Sequence, residues 1–209
     1  LFEQYPALTK QADHILGYSI RDLCLNNPDD NLTKTNYTQV AMYVVNALSY
    51  LNRQQVFRKR PDYVIGHSLG EYNALQAAGV FDFAIGLQLV KKRGELMARA
   101  LPGGMAAVLR IDAEKVANIL ATSAPDCDIA NLNAPEQTVI AGPVDSIKAS
   151  EFAVRYAGGM LIPLKVGGAF HSRYMQPARQ EFEQFLQGFA FRKPRIPVLS
   201  NARAEFYTQ

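Results

Sequence analysis

The fold of this chain is indicated first by residues 63–79, which read YVIGHSLGEYNALQAAG. The short apolar run at 63–65 is partly β-branched and is typical of a buried strand. The run at 69–78 has the composition of a helix, and Gly79 follows it as a stop signal. A G-x-S-x-G pentapeptide with Ser68 at its centre lies at the junction. This context predicts a nucleophile elbow, a sharp strand-to-helix turn that presents a serine.

Ser68 is therefore the candidate nucleophile. An isolated G-x-S-x-G also occurs as an incidental turn, so the flanking strand and helix carry the prediction. We expect that a Cβ at Gly66 or at Gly70 would crowd the turn. We also expect the amide of Leu69, together with the helix N-terminus, to face the oxygen of a carbonyl group that Ser68 attacks.

The composition is that of an ordinary globular chain. Its 209 residues are 48% hydrophobic and 20% charged, which suits one large domain or one domain with a small insertion. A net charge of +3 gives no support for nucleic-acid binding, and no apolar run approaches the length of a membrane span. Cys24 and Cys127 lack the spacing of metal ligands and suit a reducing cytoplasm. We expect a cytoplasmic protein without a metal site and with neither nucleic acid nor membrane as a partner.

The order of the predicted elements indicates an α/β fold in two parts. In 1–102, long helices surround the elbow strand, and one of them, which Thr38 could cap, has an apolar stripe from Val40 to Leu51. In 103–166, short elements follow a β-α-β-β-α-β order, which is the ferredoxin-like motif. We predict a hydrolase-like large domain with a parallel sheet, formed by 1–102 and 167–209. The small ferredoxin-like domain, 103–166, is inserted into it, with a cleft where the two meet.

Three histidines could supply the base that a serine hydroxyl needs at neutral pH. His14 lies in the first predicted helix and is expected at or near the surface. His67 adjoins Ser68, but neighbouring side chains diverge on a tight turn, so we expect it to pack or hydrogen-bond beneath the elbow. His171 lies in a glycine-rich loop, GGAFHS at 167–172, at the predicted domain junction. It is the preferred general base because it could reach Ser68 across the cleft.

Arg93 is the candidate that distinguishes classes of acyl enzyme. It lies on the second long helix, and its apolar neighbours place it on the core-facing side. An inward arginine near a nucleophile favours a carboxylate partner, which the planar guanidinium binds through two hydrogen bonds. A plain esterase has no use for such a group. Gln39, near the start of an earlier helix, is either a surface residue or part of a pocket.

Several segments taken together resemble a known family, the malonyl-CoA:acyl-carrier-protein transacylases. They are GHSLGE at 66–71, Arg93, NLN at 131–133 and GAFHS at 168–172. Gln39 also fits the family's pattern. The resemblance covers nearly the whole chain in order and is strongest to the free-standing acyltransferases that serve trans-acyltransferase polyketide synthases.

The resemblance implies a two-step acyl transfer through a covalent intermediate. Ser68 would attack the thioester of malonyl-CoA with His171 as base, and Arg93 would hold the malonyl carboxylate. The amide of Leu69 would be one oxyanion donor. The phosphopantetheine thiol of an acyl carrier protein would then take the malonyl group, for polyketide or fatty-acid synthesis. The CoA thioester is a substrate, and no bound cofactor is implied.

The resemblance also implies an acyl pocket, formed by Gln39, His67, Asn131, Asn133 and Phe170. Phe170 looks like the signature of a malonyl-type enzyme, because its bulk would crowd an α-methyl group. One methyl group is worth about 1–3 kcal/mol of discrimination. We therefore expect malonyl to be preferred over methylmalonyl.

The sequence departs from the family at both ends. The family opens with a strand and a Gly-Gln-Gly-Ser-Gln loop and continues beyond Gln209, so we expect a piece of a longer polypeptide, with both ends of the large domain truncated.

Three alternative functions bear on this interpretation. The first is an α/β-hydrolase esterase or thioesterase, which needs an acid between the serine and the histidine, placed after a late strand. That order fits badly, because the candidate acids all fall in the predicted small domain: Asp112, Asp126, Asp128 and Asp145. The second is an acyl hydrolase on the same fold that acts on acyl-carrier-protein thioesters. The third is a carrier-docking module without turnover. The presence of Arg93 favours the transferase over the hydrolase, and intact Ser68 and His171 favour an enzyme over the docking module.

Overall fold

The computed structural model describes residues 1–207, which form eight α-helices and six β-strands, with 3₁₀ helices at Pro28–Thr33 and Arg173–Met175. The α-helices are α1 (Pro6–Leu16), α2 (Ile20–Asn26), α3 (Thr35–Phe57), α4 (Gly70–Ala77), α5 (Phe83–Ala98), α6 (Ala113–Ser123), α7 (Val144–Tyr156) and α8 (Gln176–Leu186). The strands are β1 (Val64–Ile65), β2 (Gly104–Leu109), β3 (Asp128–Ala134), β4 (Gln137–Gly142), β5 (Met160–Pro163) and β6 (Val198–Leu199).

Contacts divide the chain into two compact units. One unit is formed by residues 1–95 with the segment from Phe182 onward, and the other by residues 96–181. The second unit contains the whole of the predicted small domain. The domain boundaries expected from the sequence, 1–102 with 167–209 and 103–166, remain a prediction.

A parallel pair of strands positions the elbow in the first unit. β1 pairs with β6 in the register Val64–Val198 and Ile65–Leu199. Because the carboxyl ends of parallel strands lie at the same edge of a sheet, the elbow after β1 and the turn after β6 emerge side by side. β1 pairs in parallel with β6, and a helix lies on either side of β1 in the chain. This arrangement confirms the predicted α/β class.

The core of the first unit is organised around α3. Most of the apolar stripe predicted on this helix is buried: Val40, Val44 and Leu48 are at most 1% exposed, whereas Leu51 is half-buried. Side chains from α1, α2 and α5 complete the cluster, among them Ala12, Ile20 and Leu87. Burial of aliphatic side chains contributes about 1.5–3 kcal/mol each, so this stripe anchors α3 and fixes the residues near its start.

Thr38 does not cap α3, and the sequence expectation was wrong on this point. The helix begins at Thr35, and Thr38 lies in its first turn. The Oγ1 atom of Thr38 donates hydrogen bonds to the carbonyl oxygens of Leu32 and Lys34, at 2.6 and 3.0 Å. A cap accepts a hydrogen bond from a backbone amide, whereas this hydroxyl donates to the preceding turn.

The second unit contains a four-stranded antiparallel sheet with the order β3-β4-β2-β5. The sequence of elements along the chain, β2-α6-β3-β4-α7-β5, is the β-α-β-β-α-β order expected from the sequence. α6 begins after Asp112, whose side chain accepts a hydrogen bond from the amide of Lys115 at 2.8 Å, so Asp112 caps the helix. That this segment is an inserted domain remains a prediction.

No helix within residues 1–207 has both the length and the apolar character needed to cross a membrane.

Candidate active site

Ser68 lies at a strained turn between β1 and α4. Its φ of 51° is in the left-handed region, which non-glycine residues rarely adopt. A Cβ on Gly66 would lie 1.9 Å from the carbonyl carbon of Gly70, so position 66 requires glycine. The expectation that Gly70 is equally crowded was wrong, because apart from its chain neighbours and its own helix backbone nothing in the described chain lies within 4 Å of a Cβ placed there. The elbow is therefore set by one glycine and one strained serine.

Two backbone amides that follow Ser68 donate hydrogen bonds within the elbow, whereas that of Leu69 does not. The amide of Gly70 donates to the carbonyl oxygen of His67 at 2.9 Å, and that of Glu71 donates to the carbonyl oxygen of Ser68 at 3.2 Å. Within the described chain, no hydrogen bond uses the amide of Leu69, whose residue is buried. An amide in this position can donate to an oxyanion. That role for Leu69 stays a prediction.

Arg93 contacts both Ser68 and Gln39. Its Nη2 atom donates a hydrogen bond to the Oγ atom of Ser68 at 3.1 Å, and its Nη1 atom donates to Oε1 of Gln39. The Nε2 atom of Gln39 donates to Oγ1 of Thr35 at 2.9 Å. Gln39 is buried, so of the two alternatives left open by the sequence the surface position is excluded. Tertiary packing thus brings three of the predicted site residues together.

Two glycines explain why α5 delivers Arg93 to this place. A Cβ on Gly86 would lie 2.1 Å from the hydroxyl oxygen of Tyr43, and a Cβ on Gly94 would lie 2.9 Å from the Cα atom of Asn36. Both positions therefore allow α5 to approach α3 closely. The contact between Arg93 and Gln39 lies between these two points along the helix pair.

The guanidinium of Arg93 is a half-buried cation. It lies over the ring of Tyr72, with 5.8 Å between the guanidinium carbon and the ring centroid. Burial lowers the pKa of Arg93, and its interactions with Tyr72 and Glu71 oppose this effect. Burial also raises the pKa of Tyr72 to about 12. No carboxylate of residues 1–207 forms an ion pair with Arg93. The site therefore presents a positive group beside the serine that can accept an external carboxylate.

Three further residues, for which no role was expected from the sequence, hold the elbow from one side. The Oδ1 atom of Asn201 accepts a hydrogen bond from the amide of Ser68 at 2.7 Å. The amide of Asn201 donates to Oε1 of Glu71 at 2.9 Å, and the hydroxyl of Tyr207 donates to the same oxygen at 2.8 Å. We call Asn201, Glu71 and Tyr207 the elbow brace. The one sequence signal for the elbow brace is that Asn201 follows the C-terminal end of a predicted strand.

His67 lies in the elbow, but its side chain is exposed rather than packed beneath the turn. Its carbonyl oxygen accepts the hydrogen bond from Gly70 described above. His14, near the end of α1, is exposed, as expected from the sequence. The pocket role assigned to His67 by resemblance stays a prediction.

In the second unit, His171 occupies a turn that is fixed from both sides. Its φ is 59°, again in the left-handed region. The hydroxyl of Ser172 donates to the carbonyl oxygen of Ala169 at 2.5 Å and accepts from the amide of Tyr174 at 3.3 Å. Together these two hydrogen bonds close the turn around His171. His171 as general base stays a prediction.

An ion pair ties this turn to the start of β3. The backbone amide of Arg173 donates to Oδ2 of Asp128 at 2.7 Å, and its Nε and Nη2 atoms donate to Oδ1 at 2.9 and 2.5 Å. These hydrogen bonds to Arg173 lower the pKa of Asp128. No local sequence pattern indicates this pair, because Asp128 and Arg173 lie far apart in the chain.

The remaining predicted pocket residues of the second unit lie on β3 and before His171. Phe170 packs against a small buried cluster that includes Ala169, Val139 and Ala141. Asn131 is half-buried and Asn133 is exposed on β3. Their roles in an acyl pocket stay predictions. Among residues 1–207, no group of three or more histidine, cysteine, aspartate or glutamate side chains could hold a metal ion.

Comparison with known proteins identifies the family. Residues 6–206 match the acyl transferase domain, and the chain belongs to that family. It is 56% identical over 211 residues to the polyketide biosynthesis malonyl CoA-acyl carrier protein transacylase PksC of Bacillus subtilis, covering 100% of this chain and 73% of that protein. It is 46% identical over 193 residues to the malonyl CoA-acyl carrier protein transacylase of Synechocystis, covering 92% of this chain and 64% of that protein.

Solved structures agree with this assignment. The malonyl CoA-acyl carrier protein transacylase of Burkholderia pseudomallei superposes with a TM-score of 0.95 at 46% identity, over 99% of this chain and 72% of that one. A malonyl-transacylase solved in complex with its type II polyketide acyl-carrier protein superposes with a TM-score of 0.94 at 31% identity, over 100% of this chain and 71% of that one. The family resemblance drawn from the sequence is thus confirmed.

Proposed function

We propose that this chain transfers a malonyl group from CoA to the phosphopantetheine thiol of an acyl carrier protein, through an acyl-serine intermediate. The observation that carries the proposal is the contact between the guanidinium of Arg93 and the Oγ atom of Ser68, at 3.1 Å. In a malonyl thioester only two carbon–carbon bonds separate the carboxylate carbon from the carbonyl carbon. A cation beside the nucleophile is therefore in reach of the carboxylate of the acyl group that Ser68 attacks.

The first half-reaction makes the acyl-serine ester. The Oγ atom of Ser68 bonds to the thioester carbonyl carbon while His171 takes the hydroxyl proton. The amide of Leu69 donates to the resulting oxyanion. When the intermediate collapses, the carbon–sulfur bond breaks, and CoA leaves as a thiol with the proton from His171.

The second half-reaction reverses these roles with a different thiol. His171 takes the proton of the phosphopantetheine thiol, whose sulfur attacks the ester carbonyl carbon. The bond to Oγ of Ser68 then breaks, and the proton returns to Oγ. During both halves Arg93 holds the free carboxylate by charge-assisted hydrogen bonds. Two half-reactions through one covalent intermediate give ping-pong kinetics.

The relatives support the substrate and partner classes in this proposal. Proteins named malonyl CoA-acyl carrier protein transacylases match the whole of this chain, and one of the superposed transacylases was solved with its carrier protein. Because PksC and the similar protein BaeC are named for polyketide biosynthesis, we place the reaction in that context, with fatty-acid synthesis as the related one. CoA enters as a substrate, and no resident cofactor takes part. A cytoplasmic location suits the two free thiols of Cys24 and Cys127.

Intact-protein mass spectrometry tests the proposal. The protein is incubated with malonyl-CoA or with acetyl-CoA, and the variant Ser68→Ala is treated in parallel. We expect a malonyl adduct on the wild-type protein that is much weaker with acetyl-CoA, absent in Ser68→Ala, and lost when a phosphopantetheine-bearing carrier protein is added. Hydrolysis of the thioesters without transfer to the carrier would instead identify an acyl hydrolase, the alternative that the relatives do not favour.

A further inference from the structure

We infer that Asn201 is a positioning residue that holds Ser68 in its reactive backbone conformation. The inference starts from the strain at Ser68, which has a φ of 51° without being glycine. Such a conformation persists only where its surroundings fix it. Its role in acyl transfer rests on the proposed function, whereas the hydrogen bond to Ser68 does not.

Both peptide planes that flank Ser68 are held by hydrogen bonds. On the N-terminal side, the Ser68 amide donates to Oδ1 of Asn201 at 2.7 Å. On the C-terminal side, the Ser68 carbonyl oxygen accepts from the amide of Glu71 at 3.2 Å. The second plane also carries the amide of Leu69. Fixing the two planes fixes φ and ψ of Ser68, and so fixes the directions of its Oγ atom and of the Leu69 amide together.

Asn201 is itself held in place by the rest of the elbow brace. It lies two residues beyond Leu199, which is paired with Ile65 in the parallel sheet. Its amide donates to Oε1 of Glu71 at 2.9 Å, and the hydroxyl of Tyr207 donates to that same oxygen. The turn after β6 closes through the amide of Tyr207, which donates to the carbonyl oxygen of Val198 at 3.0 Å.

The chemistry of the contact decides which substitutions retain it. A backbone amide only donates, so the atom of Asn201 that faces Ser68 must be the side-chain oxygen. The Nδ2 atom of Asn201 forms no hydrogen bond within residues 1–207. Asn201→Asp therefore retains the acceptor, and Asn201→Ala removes it. Arg203→Ala is the matched control, because it truncates an exposed side chain of the same turn.

Two measurements test the inference. The first is hydrogen exchange of the Ser68 amide, followed by NMR. The second is the single-turnover rate of acylation by malonyl-CoA, followed by quenched intact-mass spectrometry. For Asn201→Ala we expect the Ser68 amide to exchange about tenfold faster. The acylation rate at saturating malonyl-CoA should be about tenfold lower. The malonyl-CoA concentration for half-maximal acylation should change by less than about threefold, because a positioning residue acts through Ser68 and not through contact with the substrate.

The other variants separate positioning from general destabilisation. We expect Asn201→Asp to recover both quantities to within about threefold of wild type, and Arg203→Ala to leave both unchanged. Should Asn201→Ala fail to fold, Tyr207→Phe removes one hydroxyl of the elbow brace and is expected to give the same two changes at about threefold. Three outcomes would overturn the inference. The first is a folded Asn201→Ala in which Ser68 amide exchange or acylation is unchanged. The others are a Tyr207→Phe without either change and an Asn201→Asp that behaves like Asn201→Ala. If wild-type protein forms no malonyl adduct, the proposed function fails, and the exchange measurement still decides whether Asn201 holds Ser68.

Discussion

The Nη2 atom of Arg93 lies 3.1 Å from the Oγ atom of Ser68, and its guanidinium donates a hydrogen bond to that oxygen. The same guanidinium donates to Gln39 and lies over the ring of Tyr72, so its position is fixed before any ligand binds. A preorganised cation loses less entropy when it binds a carboxylate than a mobile one does. The geometry is therefore suited to selecting an acyl group that carries a free carboxylate.

Replacement of Arg93 should change acyl-group selectivity rather than abolish acylation. Arg93→Ala removes the partner of the malonyl carboxylate, so we expect kcat/KM for malonyl-CoA to fall by about 100-fold. Acetyl-CoA lacks the carboxylate, and its use should be unchanged or increased. The ratio of malonylated to acetylated protein is measured by mass spectrometry after the two thioesters compete for the same enzyme. Arg179→Ala, an exposed arginine on α8, serves as the control, and equal losses for both acyl groups would refute this role.

The two glycines of the elbow should respond differently to alanine. Gly66→Ala places a Cβ 1.9 Å from backbone carbon, and a clash with backbone cannot be relieved by a side-chain rotation. We expect it to destabilise the fold by about 3 kcal/mol or more. The Cβ of Gly70→Ala meets nothing within 4 Å beyond its chain neighbours and its own helix, so this variant should retain the folded stability, because alanine also favours the helix that begins there. Urea unfolding of the two variants gives the comparison, and similar stabilities would contradict it.

The ion pair between Arg173 and Asp128 should make the fold more sensitive to acid. Hydrogen bonds from Arg173 lower the pKa of Asp128 below its ordinary value of about 4. The stabilisation is therefore fully present above that ordinary value and is lost as the pH falls through the lower pKa of the folded protein. Asp128→Asn should melt at a lower temperature than wild type near neutral pH, and the difference should shrink as the pH falls below about 4. A difference that is constant over this pH range would exclude the ion pair as its cause.

Phe170 is expected to restrict the acyl group. If its ring crowds the α-carbon of the substrate, Phe170→Ala should raise the use of methylmalonyl-CoA relative to malonyl-CoA by about tenfold or more. Phe170 also packs against Ala169 and Val139, so thermal melting is needed to show that the variant is folded. Ile162→Ala, which shortens an exposed side chain of β5, is the control for nonspecific effects. An unchanged ratio in a folded variant would remove Phe170 from the specificity determinants.

The predictions from sequence were most accurate where local pattern and chemistry coincide. The elbow follows from a strand, a glycine without room for a Cβ and a helix, all within twenty residues. The strand is not buried as expected, because Tyr63 and Ile65 are each 59% exposed. The position of Arg93 followed from the helical phase of its apolar neighbours. The expectations for Thr38 and Gly70 were wrong, because a cap and a crowded glycine depend on where neighbouring backbone lies, which the pattern of residue types does not specify.

The sequence by itself determined the family, the α/β class and the residue types that acyl transfer requires, because strand, turn and helix signals are local in the chain. Only the tertiary structure decided which distant groups meet. The parallel pairing of β1 with β6 brings Asn201 to the amide of Ser68, and the close approach of α3 and α5 brings Gln39 to Arg93. These contacts join residues far apart in sequence, and they form because burial of apolar faces determines how whole elements pack, which places these polar groups beside one another.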